Sequence, residues 1–578
     1  MATWAFLFLS LKSYLCWEHQ TAFAAHRSII ILPCGKKVVF LQSEKKEYTM
    51  NAPRRRYPIG IQTFERIIKD KYVYVDKTDL VWQLANGSTF AFLSRPRRFG
   101  KSLLTTTLKS YFEGRRDLFE GLKIMDYEEE WRQYPVIHLD LSTCKGQGNS
   151  EGLREAILFE MEDLCSLYRV DKQGRTPGQV LSRTIKNAAK QNGKVVVLID
   201  EYDAPLLDVL HEKERMEGMK EVMKEFFQPL KACEAMIRFC FLTGITKFSQ
   251  LSIFSTLNNI MNVSMMPKYS AICGITEEEL TTVLKEDIAM LAEAYKCSPE
   301  EMHTLLKRQY DGYHFSGRGP EVYNPYSLMN CFDQKEIKNY WFESGTPTFL
   351  FHQMQRFGTD ITQMDNIKAS ESGFNRPTET LTNALPLLYQ AGYLTIKGYD
   401  RELGNYTLGI PNMEVRVGLT EGLLPYYAGL EQEDVLQGGA QKMWLALRDG
   451  DIDRCLGELK AFLAGVPYVE GFKEKLSEAA TKEGFYEYTF YLILSMLNVY
   501  VQTQVKCSTG RVDMIVYAPD TIYLFEFKVK STAAKAVRQI EEQNYADRFA
   551  TDPRQVVKVG VNFDIDTWTI EDWQTLKD

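Results

Sequence analysis

Three groups of residues in this 578-residue chain have the types and spacing that phosphate chemistry needs. The first is Gly100-Lys101-Ser102, which closes the segment Ser94-Arg95-Pro96-Arg97-Arg98-Phe99-Gly100-Lys101-Ser102. It matches the end of a GxxxxGK[ST] loop. In such a loop, N–H groups at a helix N-terminus cradle phosphates, the lysine reaches the β and γ oxygens, and the hydroxyl binds Mg²⁺. Arg95 stands where the pattern has its first glycine, which removes a flexible position. Arg97 and Arg98 add positive charge to the same turn. The second group is Asp200-Glu201, directly after the apolar run 195–199. An apolar strand ending in an acidic pair can hold a nucleotide's metal and polarise an attacking water. On this pattern Glu201 is the base, Asp200 meets Mg²⁺ directly or through water, and Ser102 is a further metal ligand. Thr243, after the run 237–242, is placed to sense the γ-phosphate. The implied ligands are ATP and Mg²⁺.

The third group is Asp513, Glu526 and Lys528. Strand side chains alternate, so Glu526 and Lys528 project from one face of the run 523–528, and a paired strand can bring Asp513 beside them. Two carboxylates and a lysine in an otherwise apolar hairpin are costly to bury without purpose. Phosphodiester hydrolysis supplies one: Asp513 and Glu526 bind Mg²⁺, and Lys528 orients the water or stabilises the developing charge. Glu487, on a preceding helix, is a further metal-contact candidate, and Gln539 and Tyr545 on a following helix are positioning candidates.

These groups need particular elements beneath them. Apolar runs at 72–75, 89–93, 136–141, 195–199 and 237–242 read as strands, and 101–112 reads as a helix. The stretch 212–230 carries Met216, Met219, Met223, Phe226 and Phe227 at helical spacing, a core stripe. Strands alternating with helices predict a three-layer α/β domain with a mostly parallel sheet. At Thr276-Glu277-Glu278-Glu279 a capping-box spacing opens a helical region, and 392–396 with 406–410 read as a hairpin, together winged-helix-like. The stretch 421–479 reads as a charged helical connector. From 486 the pattern is helix, strand, turn, strand, helix, strand. His314, among Tyr310, Tyr313 and Phe315, reads as part of a packed aromatic turn.

Composition sets the bounds. With 45% hydrophobic and 25% charged residues, collagen-like, disordered and multi-span membrane classes are excluded. The net charge of −7 argues against a protein that coats nucleic acid, yet residues 51–110 carry 12 basic against 4 acidic residues. Eleven cysteines without a CxxC pair point to thiols in a reducing compartment. The apolar run 2–11 is too short to span a bilayer. Residues 1–49 read as a leader or an over-extended start, and Arg54–Arg56 as a solvated basic arm.

The motifs also carry a resemblance. Tyr57-Pro58-Ile59-Gly60, Tyr74-Val75-Asp76-Lys77-Thr78, the loop from Arg95 to Ser102 and Leu198-Ile199-Asp200-Glu201-Tyr202-Asp203 resemble the AAA-ATPase-like family of bacteria. Tyr310-Asp311-Gly312-Tyr313-His314-Phe315 and Asn324-Pro325-Tyr326-Ser327 match it as well. That resemblance implies ATP binding and makes the arginine at position 95 usual. Asp513-x₁₂-Glu526-x-Lys528, with Gly510-Arg511 before it and Gln539-Ile540 and Tyr545 after it, resembles the PD-(D/E)XK nuclease superfamily, which implies a restriction-endonuclease-like α/β domain. The domains expected are 50–275 (P-loop), 276–420 (helical and winged-helix-like), 421–479 (connector) and 480–578 (nuclease-like). The function expected is ATP-gated, Mg²⁺-dependent cleavage of nucleic acid, DNA before RNA, in a cytoplasmic protein without a membrane partner, and a homo-oligomer is compatible with it. The alternative is a nucleotide-switched module that binds nucleic acid or protein without cutting.

Overall fold

The computed structural model describes Pro33–Cys34, Lys37–Val38 and residues 55–578, apart from 208, 211, 248–259, 344–347, 358, 360–363, 378–381, 429–432, 465–489, 492, 495–499, 508–509, 565–568 and 578. The chain forms two units, Met1–Arg54 and Arg55–Asp578. In the first, the described residues make a short antiparallel ladder.

In the second unit, five parallel strands form the first sheet: β1 (Phe90–Ser94), β2 (Val136–Asp140), β3 (Val195–Asp200), β4 (Ile237–Gly244) and β5 (Met261–Asn262). Their spatial order is β2-β3-β4-β1-β5. Every residue of β3 is buried, as a strand covered on both faces requires. Alternate side chains feed opposite layers. Ala91, Leu93, Val196, Leu198, Phe239 and Phe241 pack with Leu104, Leu108 and Phe112 of α1 (Lys101–Phe112). Phe90, Phe92, Ile137, Val197, Ile199 and Leu242 pack with α2 (Pro177–Asn192) and α3 (Lys213–Ala232). The Met216–Phe227 stripe lies in this second layer. The chain leaves β1 for the far edge at β2 and later passes β1 to reach β5. That order leaves a crevice at the carboxyl ends of the strands, where ligands of such sheets bind.

The run 72–75 is extended but pairs with no strand. Val73 and Val75 pack on the helical core around Leu280 and Met302 and border that crevice.

Thr276 and Glu279 close the expected capping box on α4 (Glu277–Val283). Helices α5 (Lys285–Tyr295), α6 (Pro299–Tyr310) and α7 (Pro325–Gln334) then gather Leu280, Ile288, Met302, Leu306, Leu328 and Phe332 into a separate core. The hairpin is present as β7 (Thr395–Asp400) and β8 (Asn405–Gly409), and β6 (Ile367–Ser370) extends it to three antiparallel strands in the order β6-β8-β7. Helix α8 (Leu385–Ala391) precedes the hairpin and α9 (Met413–Ala428) follows it.

In the stretch read as a connector, α10 (Glu433–Arg448) and α11 (Ile452–Ala464) carry an apolar face of Met443, Leu447, Cys455, Leu456 and Leu459. That face meets the C-terminal sheet. Tyr523 Oη donates to the Leu447 carbonyl (2.7 Å), Trp573 Nε1 to Asp453 (2.8 Å) and Thr569 Oγ1 to the Lys460 carbonyl (3.2 Å).

The C-terminal sheet runs β9 (Tyr500–Lys506), β10 (Arg511–Tyr517), β11 (Thr521–Val529), β12 (Gln555–Asp564), β13 (Thr569–Lys577), in that order in space. The β11–β12 pair is parallel and the others antiparallel. A parallel pair needs a crossover, and α12 (Ala533–Glu542) provides it. The outer strands β9 and β13 are additions to the strand–turn–strand–helix–strand pattern read from the sequence.

Candidate nucleotide and phosphodiester sites

A crevice of about 460 Å³ opens at the carboxyl end of β1. Its floor is the phosphate loop from Arg97 to Leu104, with Asp140, Lys145 and Glu201 beside it. Gly100 sits at φ +90 at the N-terminus of α1, and a Cβ there would meet nothing within 4 Å, so open space lies over the loop. The opposite wall comes from other parts of the chain: Pro58 to Gln62, Gly274, and Pro325, Tyr326 and Met329 of α7. The middle region therefore closes the crevice that the sheet begins.

The loop is anchored by its arginines in different ways. Arg95 is 1% exposed and donates to the carbonyls of Ser94 (2.9 Å), Ser264 (2.7 Å) and Tyr269 (3.1 Å), with its guanidinium 4.1 Å from the centre of the Phe315 ring. Burial pulls its pKa down to about 10. Arg98, at φ +66, lies 4.7 Å over Tyr326. Trp341 Nε1 donates to the Arg97 carbonyl (3.1 Å). These contacts, with the Phe99 ring against Tyr313 and Phe315, tie the loop to the middle region.

Lys101 is buried, donates to the Pro96 carbonyl (3.2 Å) and lies 3.4 Å from Glu201 Oε1. Burial pushes the Glu201 carboxyl up, but Lys101, helped by Lys145 and Arg97, outweighs it and holds the group below the usual range. Burial raises Asp200 to about 6 against the pull of its hydrogen bond with Ser102, and its Oδ1 accepts the Glu201 N–H at 2.9 Å. The hydroxyl and two carboxylates therefore meet beneath the loop, an oxygen donor set that suits Mg²⁺. Thr243 is placed differently. It is fully buried and its hydroxyl donates to the Leu93 carbonyl (2.9 Å), so it joins strands β4 and β1 and does not line the crevice.

The second candidate site lies on the β10–β11 hairpin. The pairing Met514↔Phe525 puts Asp513 next to Glu526 and Phe527, and Asp513 Oδ2 accepts the Phe527 N–H at 2.9 Å. Glu526 is 2% exposed and its Oε1 meets Lys528 Nζ at 2.9 Å. Alternation along β11 puts Glu526 on the side of Ile522 and Leu524, which pack with Ile540 of α12. Helix and strand come close there because Gly560 faces α12: a Cβ at 560 would run into the Ala533 carbonyl and stand 2.9 Å from Ala536 Cβ and from Val537 N. Among the described residues no group of three or more His, Cys, Asp or Glu could hold a metal. Asp513 and Glu526 remain as a two-carboxylate set, which suits a magnesium ion that keeps several waters.

A family model described as "Predicted AAA-ATPase" matches residues 58–254, and one for the PD-(D/E)XK nuclease superfamily matches 481–573. A curated protein of Azotobacter chroococcum mcd 1, "Uncharacterized protein in vnfD 5'region", is 33% identical over 525 residues, covering 89% of this chain and 98% of its own. The chain belongs to the AAA-ATPase-like family. It carries a C-terminal PD-(D/E)XK nuclease superfamily domain. Among solved structures, the Aeropyrum pernix ORC2 protein overlaps 60% of this chain and 93% of its own at 13% identity and a TM-score of 0.24. Drosophila ORC bound to poly(dA/dT) DNA and Cdc6 overlaps 75% and 69% at 13% identity and 0.22. Overlaps this slight bear on neither architecture nor function.

In this AAA-ATPase-like chain, Lys101, Ser102, Asp200, Glu201, Arg97, Arg98 and Gly100 come together, as do Asp513, Glu526 and Lys528. Glu487 lies outside the described residues. Tyr545 is buried, and its hydroxyl accepts the Arg511 N–H (3.0 Å), fastening the start of β10. His314 is packed, its ring nitrogen meeting the Gly319 carbonyl at 2.5 Å. Of the basic triplet, Arg55 is half-buried and pairs with Asp287 (2.6 Å), while Arg56 stays exposed and donates to the Tyr72 hydroxyl (2.9 Å) at the surface. Sequence reading missed Asp140 and Tyr326 as crevice residues. Asp140 had a signal, since it ends an apolar strand as Asp200 does. Tyr326 had one in the family motif around it, to which no contact with the loop was assigned.

Proposed function

We propose that the chain binds ATP with Mg²⁺ at the Lys101 loop and that the nucleotide state controls hydrolysis of phosphodiester bonds, DNA before RNA, at Asp513, Glu526 and Lys528. The observation that carries this reading is the pairing of buried Glu526 with half-buried Lys528 beside Asp513, in a chain whose phosphate loop holds Lys101 against Glu201. On entry of a triphosphate, Lys101 exchanges Glu201 for the β and γ oxygens. Glu201 is then released to accept a proton from the attacking water, while Ser102 and Asp200 hold the metal. At the hairpin Asp513 and Glu526 hold the second metal, and Lys528 orients the water and meets the charge that develops on the phosphate. Magnesium at these sites supplies charge neutralisation and a more acidic water. The loop's contacts with Phe315, Tyr326 and Trp341 support control by the nucleotide, because the middle region that they touch also borders the C-terminal domain. A cytoplasmic setting fits the cysteines, all free among the described residues, and no described helix is long and apolar enough to cross a membrane.

The test is a panel of labelled DNA and RNA incubated with purified full-length chain, Mg²⁺ or Mn²⁺, with and without ATP. Metal-dependent cleavage that disappears in Glu526→Ala and changes its ATP response in Lys101→Ala is the expected result. Cleavage unchanged in Glu526→Ala overturns the assignment. Tight nucleotide binding with no cleavage under any metal favours a nucleotide-switched binding module.

A further inference from the structure

A second cavity, of about 800 Å³, lies between the middle region and the C-terminal sheet. Arg308 of α6, Arg416 of α9 and Trp444 of α10 face Tyr517, Arg548 and Arg554 across it. Four of its lining residues are arginines and none is a carboxylate, although the C-terminal segment 480–578 has a net charge of −3. Arg416 pairs with Asp365 (2.6 Å) and Arg554 with Asp552 (2.7 Å), both acids lying outside the lining. Arg308 and Arg548 are exposed.

The aromatic residues interleave with this charge. The Arg554 guanidinium lies 5.4 Å over the Tyr517 ring, Tyr517 meets Phe549 edge-on at 6.1 Å, and Arg548 lies 5.2 Å over Phe549. Arginine forks recognise phosphate oxygens, and ring faces stack on bases, so the two together fit a single strand of nucleic acid. A duplex would offer no base face to Tyr517 or Trp444. Position agrees with this. Tyr517 follows Asp513 by four residues on β10, about 13 Å at roughly 3.3 Å per residue, or about four stacked steps of one strand at roughly 3.4 Å each.

We propose that this cavity holds a single-stranded segment of nucleic acid, with phosphates on Arg308 and Arg548 and bases against Tyr517 and Trp444. The segment is the strand whose bond is presented to Asp513, Glu526 and Lys528, so the inference rests on the phosphodiester reading above. Binding and cutting separate in the test. Anisotropy of a labelled single-stranded oligonucleotide is measured with full-length chain in EDTA, where no cleavage occurs, over a series of salt concentrations. The expected result is a loss of about tenfold or more in affinity for Arg308→Glu/Arg548→Glu, with a salt slope shallower by about 0.7 per contact removed. Arg548→Gln, the milder change, gives a smaller loss in the same direction. Both positions are exposed and lie outside the Lys101 crevice, so nucleotide affinity there stays at its wild-type value. Unchanged affinity and salt slope in the double variant overturn the proposal, as does a loss confined to duplex. If oligonucleotide binding depends on these arginines while no metal supports cleavage, the strand site stands and the cleavage reading fails.

Discussion

At the position where a phosphate loop usually has its first glycine, Arg95 directs its charge into the protein, onto three carbonyls and the Phe315 ring. Restoring the glycine therefore harms the fold. Arg95→Gly leaves buried carbonyls without donors, at a cost of roughly 2–4 kcal/mol, read as a lowered melting temperature without bound nucleotide. Glu201 behaves in the opposite way. In the nucleotide-free chain it neutralises Lys101, so Glu201→Gln removes a competitor for that ammonium. Nucleotide affinity rises several-fold by equilibrium titration, while turnover falls by about 10² or more with loss of the base. A third residue sets a pH dependence. Asp311 is 4% exposed, and burial pushes its pKa up to about 6 from 3.8. Because the folded value is raised, its contribution is fully present below about pH 4 and is lost as pH rises through 6. Asp311→Asn is thus expected to stabilise the chain by roughly 1–3 kcal/mol at pH 8 and to make little difference at pH 4, read as melting-temperature differences at the two pH values. Residue chemistry was legible in sequence where a motif has a fixed geometry, as at Lys101 or Glu526. It was not legible for Arg95 or Thr243, whose partners Ser264, Tyr269 and Leu93 are set by the sheet order.

Among elements, the β11–α12–β12 crossover holds the hairpin site in shape, because α12 covers the face from which Glu526 projects. Its closest approach is at Gly560, where a side chain has no room beside Ala533 and Ala536. Gly560→Val is expected to cost about 3 kcal/mol and to shift α12 off Glu526, so cleavage falls with stability in activity and melting measurements, while nucleotide affinity at the Lys101 loop is retained. Strands with continuous apolar runs, β3 and β4, were readable because both faces are covered. The edges were not. In β13, Thr569–Lys577, Ile570 is the one fully buried residue and the remaining positions are largely polar. The segment 72–75 erred in the other direction. Its apolar, β-branched residues suggest a strand, yet they line the nucleotide crevice.

Across the whole molecule, the nucleotide crevice is a joint product of the sheet and the middle region. At the Arg98–Tyr326 contact the two meet. Adding a non-hydrolysable ATP analogue is expected to slow amide exchange in the phosphate loop and also in Gly274 and the first turn of α7. In Tyr326→Ala the loop stays protected by nucleotide but the α7 response is lost. Equal protection of both in the variant would place the coupling elsewhere. The shared apolar core has a consequence for synthesis of the chain. The faces of α10 and α11 are covered by Tyr523, Phe525, Phe563 and Ile570, and β13 ends at Lys577, long after α11 ends at Ala464. At translation rates of about 5–20 residues per second, roughly 100 further residues take about 5–20 s. For that interval Leu447, Leu456 and Leu459 leave the ribosome without their lid, so the growing chain exposes apolar surface that the finished fold covers.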